Sequence, residues 1–289
     1  MAHPEGRLVD IVDTRLFVVE VGEPDGYPIL VLHGGPGVDH HMFADYLDPL
    51  AERGYRLVLV DHRANGRSDR PDPATWTLPQ MAADVGSLAA ALGLERYAVL
   101  GHSCGAFVTL QHAVDFPGAA ARSIVSGGVP SARYLAAVEE NLASFEPVEL
   151  RDQVTASWAK EAGVDSQEAF AELMHEQWPF HFRDPRDPRI AEAERRMAGT
   201  VYSPECLRAF AANDYGGIEV EDRLPTITQP VLLLAGRYDR TCVLAAHEAM
   251  AAAIPYAELV VFDQSGHMTY IEETAKYLDA IDAFLRRTG

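Results

Sequence analysis

Short apolar runs and longer segments with helical periodicity alternate along most of the chain. The pattern predicts an amino-terminal hairpin and then buried strands, at 8–12, 16–21, 29–32, 56–61, 97–100, 122–128, 230–236 and 258–262. Between the later strands it predicts helices, at about 40–52, 78–92, after residue 105, at 243–253 and from 272. Strands that alternate with helices indicate a mostly parallel sheet with helices on both faces.

The alternation stops after the sixth predicted strand. From 129 to 225 no strand pattern is seen, and helical patterns occupy 134–145, 150–161 and 166–177. We therefore predict a core domain made of residues 1–128 and 226–289, and a helical cap made of residues 129–225. A cap inserted at this point would cover the carboxyl ends of the strands, where open parallel sheets bind their ligands.

A serine lies at the sharpest predicted turn, in the sequence GHSCG at 101–105. Ser103 is at its apex, between a buried strand and a helix, and small neighbours on both sides let the backbone take a strained conformation. An ordinary strand–helix turn that happens to hold a serine would look the same. Residues elsewhere in the chain are therefore needed to distinguish a nucleophilic serine from a turn residue.

Two later strands each end just before a residue that could activate a serine. Asp239 follows the strand at 230–236, and His267 follows the strand at 258–262. A serine hydroxyl needs a base to accept its proton and an acid to orient that base. The order Ser103, Asp239, His267 predicts a catalytic triad at the carboxyl edge of the sheet. Asp263 is the rival for the role of the acid.

Backbone donors for an oxyanion are expected in two places. The N–H of Cys104 begins the helix after the serine, and the sequence HGGPG at 33–37 offers the N–H of Gly35. On this interpretation Cys104 contributes its backbone and not its thiol; as an alternative, HGGPG is only a tight turn. In the segment DHRANGRSDRP, residues Asp61, Arg63 and Asp69 are predicted to hold a loop beside the site.

Charge and composition exclude several classes of partner. The 289 residues carry a formal net charge of −19, which disfavours nucleic acids and anionic membrane surfaces. Neither a secretory signal nor an apolar stretch of membrane-spanning length is seen, and three widely spaced cysteines predict a reduced, cytoplasmic protein.

His, Cys and acidic residues show no ligand spacing, so neither a metal nor another cofactor is expected. The adjacent His40 and His41 are predicted to cap or flank a helix. The oligomeric state stays open.

Five segments together resemble the proline iminopeptidase branch of the α/β-hydrolases: HGGPG, DHRANGRSD, GHSCGA, GRYD and SGH. The resemblance implies an α/β-hydrolase fold with a helical cap and a Ser-Asp-His triad that releases an amino-terminal residue from a peptide or amide. The sequence departs from the family at Cys104, where tryptophan or tyrosine is frequent, and at Arg240, where some relatives have an acid. Candidates for contacts with a substrate amine are Glu205, Asp214 and Glu219, and Arg240, the cation that follows Asp239, is a fourth candidate for substrate binding.

The function predicted from these features is a serine hydrolase that acts through an acyl-enzyme. An aminopeptidase or amidase acting on small molecules or short peptides is the first hypothesis. A carboxylesterase or lactonase with the same triad is the second. A receptor that keeps the hydrolase cavity is a third, from a different class of protein.

Overall fold

The computed structural model describes residues 4–287, and a single eight-stranded sheet forms its centre. The spatial order of the strands is β1-β2-β4-β3-β5-β6-β7-β8. The strands are β1 (Arg7–Asp10), β2 (Arg15–Val21), β3 (Tyr27–Leu32), β4 (Tyr55–Val60), β5 (Ala98–His102), β6 (Arg122–Ser126), β7 (Val231–Gly236) and β8 (Ala257–Phe262). All eight predicted strands are present.

The sheet is antiparallel at one edge and parallel elsewhere. Strand β2 pairs antiparallel with β1 and β4, whereas strands β3 to β8 run parallel to one another. Alternate residues of β3 enter different apolar clusters: Leu30 and Leu32 face one side, and Ile29 and Val31 the other. Both faces of the sheet are therefore buried, as the unbroken apolar runs predict.

Helices of the core cover these two faces. They are α1 (Pro49–Glu52), α2 (Leu78–Ala91), α3 (Cys104–Asp115), α10 (Leu244–Ala253), α11 (Thr269–Glu272) and α12 (Thr274–Arg287). The Thr77 side chain caps α2 by accepting the N–H of Gln80. The single helix predicted at 40–52 is wrong: a 3₁₀ turn, His40–Phe43, ends at Ala44, whose positive φ of 43° interrupts the helical path before α1.

The segment between β6 and β7 is helical, which confirms the predicted insertion after the sixth strand. Its helices are α4 (Ala137–Ala143), α5 (Val148–Lys160), α6 (Gln167–His181), α7 (Arg189–Arg196), α8 (Pro204–Ala211) and the short irregular turn α9 (Asp214–Gly217), with 3₁₀ turns at Ala132–Ala136, Glu161–Gly163 and Glu221–Thr226. An isolated bridge between Ser131 and Glu219 holds the two ends of this cap side by side. The domain boundaries at 128 and 226 stay a prediction.

None of the helices within residues 4–287 is long and apolar enough to cross a membrane.

Candidate active site

Ser103 occupies a strained turn between β5 and α3. Its φ of 56° is positive, which a residue with a side chain rarely adopts. A Cβ atom at Gly101 would lie 2.0 Å from the carbonyl oxygen of Gly105, and one at Gly105 would lie 2.2 Å from that of Leu32. Both glycines are therefore required by close backbone packing, and this packing holds the serine at the carboxyl edge of the sheet.

Asp239 and His267 form a buried pair at the same edge. The Nδ1 atom of His267 lies 2.7 Å from Oδ2 of Asp239, and the side chains of His267 and Asp239 are 3% and 1% exposed. The other carboxylate oxygen of Asp239 accepts the N–H groups of Thr241 and Cys242 at 2.9 and 2.8 Å. Burial opposes ionisation of Asp239, but the His267 ring and these hydrogen bonds outweigh it and lower the pKa of this carboxyl well below its usual range.

The rival acid lies elsewhere. The carboxylate of Asp263 accepts a hydrogen bond from Arg237 at 2.7 Å, and both side chains of this ion pair are about half exposed. A surface pair of this kind cannot orient a buried imidazole. Of the two candidates, Asp239 is therefore the acid that contacts His267.

Ser103 and His267 line one cavity of about 740 Å³ between the sheet and the cap. Within residues 4–287 no hydrogen bond joins the Ser103 hydroxyl to the His267 ring. Catalytic hydrogen bonds of this kind commonly tighten only when substrate binds. Most of the lining is apolar, from Phe107, Leu135, Val138, Leu142, Trp158 and Phe170 among others.

Of the two expected oxyanion donors, Gly35 lies on this cavity, and Cys104 directly follows Ser103, which lines it. Gly35 has a φ of 101°, a conformation that glycine adopts without strain. Cys104 is the first residue of α3, so its N–H has no acceptor inside the helix. Burial raises the pKa of the Cys104 thiol well above its usual range, which disfavours the thiolate that a nucleophilic cysteine needs.

The structure brings only one of the four predicted substrate-binding residues to the cavity, and that residue is Asp214. Glu205 accepts a hydrogen bond from Arg70 at 2.7 Å. Glu219 accepts the Ser131 hydroxyl at 2.8 Å. The guanidinium of Arg240 donates to backbone carbonyl groups at the end of α6. These three side chains are satisfied by partners in the protein, which the local sequence did not reveal.

An acid that the sequence interpretation missed lies on the cavity. Glu161 is 6% exposed, and its carboxylate accepts hydrogen bonds from Gln177, at 2.8 Å, and from the hydroxyl of Tyr215. Burial raises the pKa of Glu161. The sequence did contain a signal: Glu161 follows the buried Val154 by seven residues, so both lie on one stripe of the helical pattern.

The loop after β4 is held as predicted. Asp61 accepts the N–H groups of His40 and Arg67 at 3.0 and 2.9 Å, and Asp69 accepts two hydrogen bonds from Arg15. Arg63 is buried and donates to Asp84. All three residues of the motif therefore have structural partners.

Two groups of metal-ligand side chains come together that sequence spacing did not indicate. They are Asp39 with His40 and His41, and Asp239 with Cys242 and His267, each with potential ligand atoms within 4.8 Å of one another. The Nδ1 atoms of His40 and His41 already bind Asp61 and Asp39, at 2.6 and 3.0 Å. The two histidines were predicted to cap or flank a helix; instead they are the first two residues of a 3₁₀ turn, and Asp39 caps it.

Comparison with known proteins agrees with this architecture. A family model described as the alpha/beta hydrolase fold matches residues 27–274. A proline iminopeptidase from Clostridium botulinum is 28% identical over 294 residues, which cover 92% of this chain and 93% of that relative. The crystal structure of proline iminopeptidase from Mycobacterium smegmatis has a TM-score of 0.75 at 25% identity, covering 98% of both chains. The structure of an alpha/beta fold family hydrolase from Bacillus anthracis str. Sterne has a TM-score of 0.80 at 21% identity, covering 100% of both chains. The chain therefore belongs to the alpha/beta hydrolase fold family and is a hydrolase of its proline iminopeptidase-like branch.

Proposed function

We propose that this hydrolase removes the amino-terminal residue from small peptides or amides, with Ser103 as nucleophile, His267 as base and Asp239 as orienting acid. The buried Asp239 carboxylate accepts from Nδ1 of His267, which leaves the Nε2 lone pair free for the serine proton. Strain at Ser103 and the shared cavity support this assignment.

The reaction then follows from these roles. Ser103 Oγ attacks the substrate carbonyl carbon while Nε2 of His267 takes the hydroxyl proton, and the oxyanion accepts hydrogen bonds from the N–H groups of Gly35 and Cys104. The imidazolium gives its proton to the leaving amine as the C–N bond breaks. Water, deprotonated by His267, then attacks the acyl-enzyme ester, and the proton returns to Ser103 as the amino acid leaves.

The observation that carries the aminopeptidase proposal is the buried carboxyl of Glu161 on the cavity. A protonated α-amine leaving water must be paired with a negative group. Glu161 is held by two donors and lies in a mostly apolar surrounding, so an ammonium ion would offset the unfavourable burial of its charge. Asp214 and Glu139 offer two further carboxylates on the same cavity, and both are exposed. The name of these relatives, proline iminopeptidase, is consistent with this site.

The test compares free and N-acetylated forms of one aminoacyl arylamide, beginning with proline. We expect acetylation to lower kcat/KM by about 30-fold or more, about 2 kcal/mol, because it strands the carboxylate partner of the amine. Glu161→Gln should lower kcat/KM for the free amine and leave the acetylated substrate little changed. Glu168→Gln, an exposed acid near the start of α6, is the matched control. Equal kcat/KM for both substrates in the wild type would contradict an amine site.

A carboxylesterase or lactonase is the second candidate. The apolar majority of the cavity lining favours it, since a neutral acyl group needs no charged partner. Short acyl esters and lactones belong in the same substrate panel, and turnover of any member would make the receptor hypothesis unnecessary. Faster hydrolysis of esters, together with no effect of acetylation on amides, would favour this second candidate.

A further inference from the structure

The carboxyl end of the cap helix α6 is bound by a side chain from the Asp239 loop. Arg240 directly follows Asp239, and its guanidinium donates to the carbonyl oxygens of Phe180 at 3.1 Å, Phe182 at 2.6 Å and Arg183 at 3.1 Å. The last carbonyl groups of a helix have no partners within it, and a cation there is favoured by the helix dipole. Arg240 therefore ties the end of α6 to the loop that carries the triad acid.

A second side chain ties the same segment to the His267 loop. Glu272 is 8% exposed; its Oε1 accepts the N–H of Arg183 at 2.8 Å, and its Oε2 accepts the N–H of Gly266 at 2.7 Å. Gly266 directly precedes His267. One carboxyl group thus bridges the cap and the residue before the base.

The backbones themselves are in contact between these two ties. The N–H of His267 donates to the carbonyl oxygen of His181 at 2.7 Å, and the two imidazole rings are 5.3 Å apart. A Cβ atom at Gly266 would lie 2.6 Å from the carbonyl oxygen of His181 and 2.8 Å from the nitrogen of Arg183. Only glycine allows this approach, so the position of His267 depends directly on where α6 ends.

We propose that Arg240 and Glu272 are positioning residues that fasten the end of α6 to the Asp239 and His267 loops and so hold His267 in line with Ser103. We call this pair the α6 clamp. The proposal rests on the proposed role of His267 as base. It gives Arg240, which the sequence suggested as a substrate contact, a role that acts through the triad. Misplacement of a reacting group by about 1 Å can lower a rate by about 10²-fold.

The test uses Arg240→Met, Arg240→Lys and Glu272→Gln in the full chain. The controls are Arg237→Met, which removes an exposed ion pair from the same loop, and Glu248→Gln, at an exposed acid of α10. We measure kcat and KM on the best substrate of the panel, and the rate constant with which a fluorophosphonate modifies Ser103. The second readout needs the base but no bound amine.

We expect Arg240→Met and Glu272→Gln to lower kcat and the phosphonylation rate constant by about 10- to 100-fold, with KM changed less than about threefold. Arg240→Lys keeps the charge beside Asp239 but cannot reach three carbonyl groups, so it should restore only part of the rate. Full restoration by lysine would mean that charge, not the clamp, matters.

Circular dichroism and active-site titration give the folded fraction of each variant. Unchanged kcat and phosphonylation per folded site would overturn the clamp, even if the melting temperature falls. If Arg240→Met does not fold, Arg240→Lys and the isosteric Glu272→Gln decide the question by the same criteria. A wild-type protein that is active but not phosphonylated at Ser103 would instead overturn the proposed function.

Discussion

The ring of His267 meets the carboxylate of Asp239 at 2.7 Å, and both side chains are almost completely buried. An ionised carboxylate can only accept at this contact, so Nδ1 holds the proton and Nε2 is the basic atom. This tautomer is the one that a serine nucleophile requires. The pair is therefore the most direct target for a test of the proposed mechanism.

We expect Asp239→Asn to lower kcat by about 10⁴-fold, because an amide donating to Nδ1 would favour the wrong tautomer of His267. The matched control is Asp263→Asn, which removes the rival acid and breaks only an exposed contact with Arg237. Steady-state kinetics on the best substrate, with circular dichroism to verify folding, measures both. Equal losses in the two variants would refute the assignment of the acid.

Ser103→Ala should also reduce kcat by about 10⁴-fold or more, since the triad residues act as a unit. A fluorophosphonate should label the wild type at Ser103, and peptide mass spectrometry identifies the modified residue. Label on Cys104 would show that the neighbouring thiol is the nucleophile. Most activity retained in folded Ser103→Ala would contradict the triad.

Removal of metal ions should leave the rate unchanged. The proposed steps use protein groups, the substrate and water, and the Nδ1 atoms of His40, His41 and His267 are hydrogen-bonded to carboxylates. Exhaustive dialysis against a chelator, followed by assay with and without added zinc or manganese, is the measurement. A loss of activity restored by one of these ions would require a metal in the mechanism.

The buried Arg63–Asp84 pair should be important for stability and not for chemistry. Arg63 is 0% exposed and donates two hydrogen bonds of 2.6 Å to Asp84. Arg63→Met would leave the Asp84 charge buried and unpaired, so we expect the free energy of unfolding to fall by about 3–5 kcal/mol. Arg15→Met breaks the exposed pair with Asp69, which water screens, so its loss of stability should be far smaller. Urea denaturation compares the two, and similar losses would contradict the prediction.

Glu272 should make stability depend on pH. Burial raises the pKa of Glu272 to about 7, whereas glutamate in an unfolded chain titrates near ~4.3. The folded state binds more protons between these values, so the contribution of this group is fully present below pH ~4.3 and is lost as pH rises through about 7.

The Glu272→Gln variant has no ionisable group at this position, so its stability should not fall in this way as pH rises. Between pH 4.5 and 8, we expect the free energy of unfolding of this variant to rise relative to that of the wild type by on the order of 3 kcal/mol. Arg189 and Asp187 lie near Glu272, as does Arg240, but all three remain in both proteins. Urea denaturation at several pH values gives the difference, and parallel curves for the two proteins would contradict the expectation.

The sequence by itself determined most of the scaffold and the residues of the proposed triad. Apolar runs reflect burial directly, so they indicated the strands of the sheet. Because parallel strands end at one edge, the residues that follow β5, β7 and β8 were expected to lie close together. The requirement for glycine at 101 and 105 was equally visible, because a serine at a sharp strand–helix turn needs small neighbours on both sides. Local patterns therefore sufficed wherever the physical cause was itself local.

Only the tertiary structure decided which charged residues meet the cavity. Glu205 and Arg240 looked free in the sequence, but Arg70 and the end of α6 satisfy them, and these partners lie far away along the chain. The helical pattern placed Glu161 on the same stripe as Val154, but only the hydrogen bonds from Gln177 of α6 and from Tyr215 show that its carboxyl is buried at the cavity. Whether a charge is paired or exposed depends on distances between elements that no local pattern encodes. For that reason the proposed triad could be predicted from the sequence, whereas the proposed amine site and the α6 clamp could not.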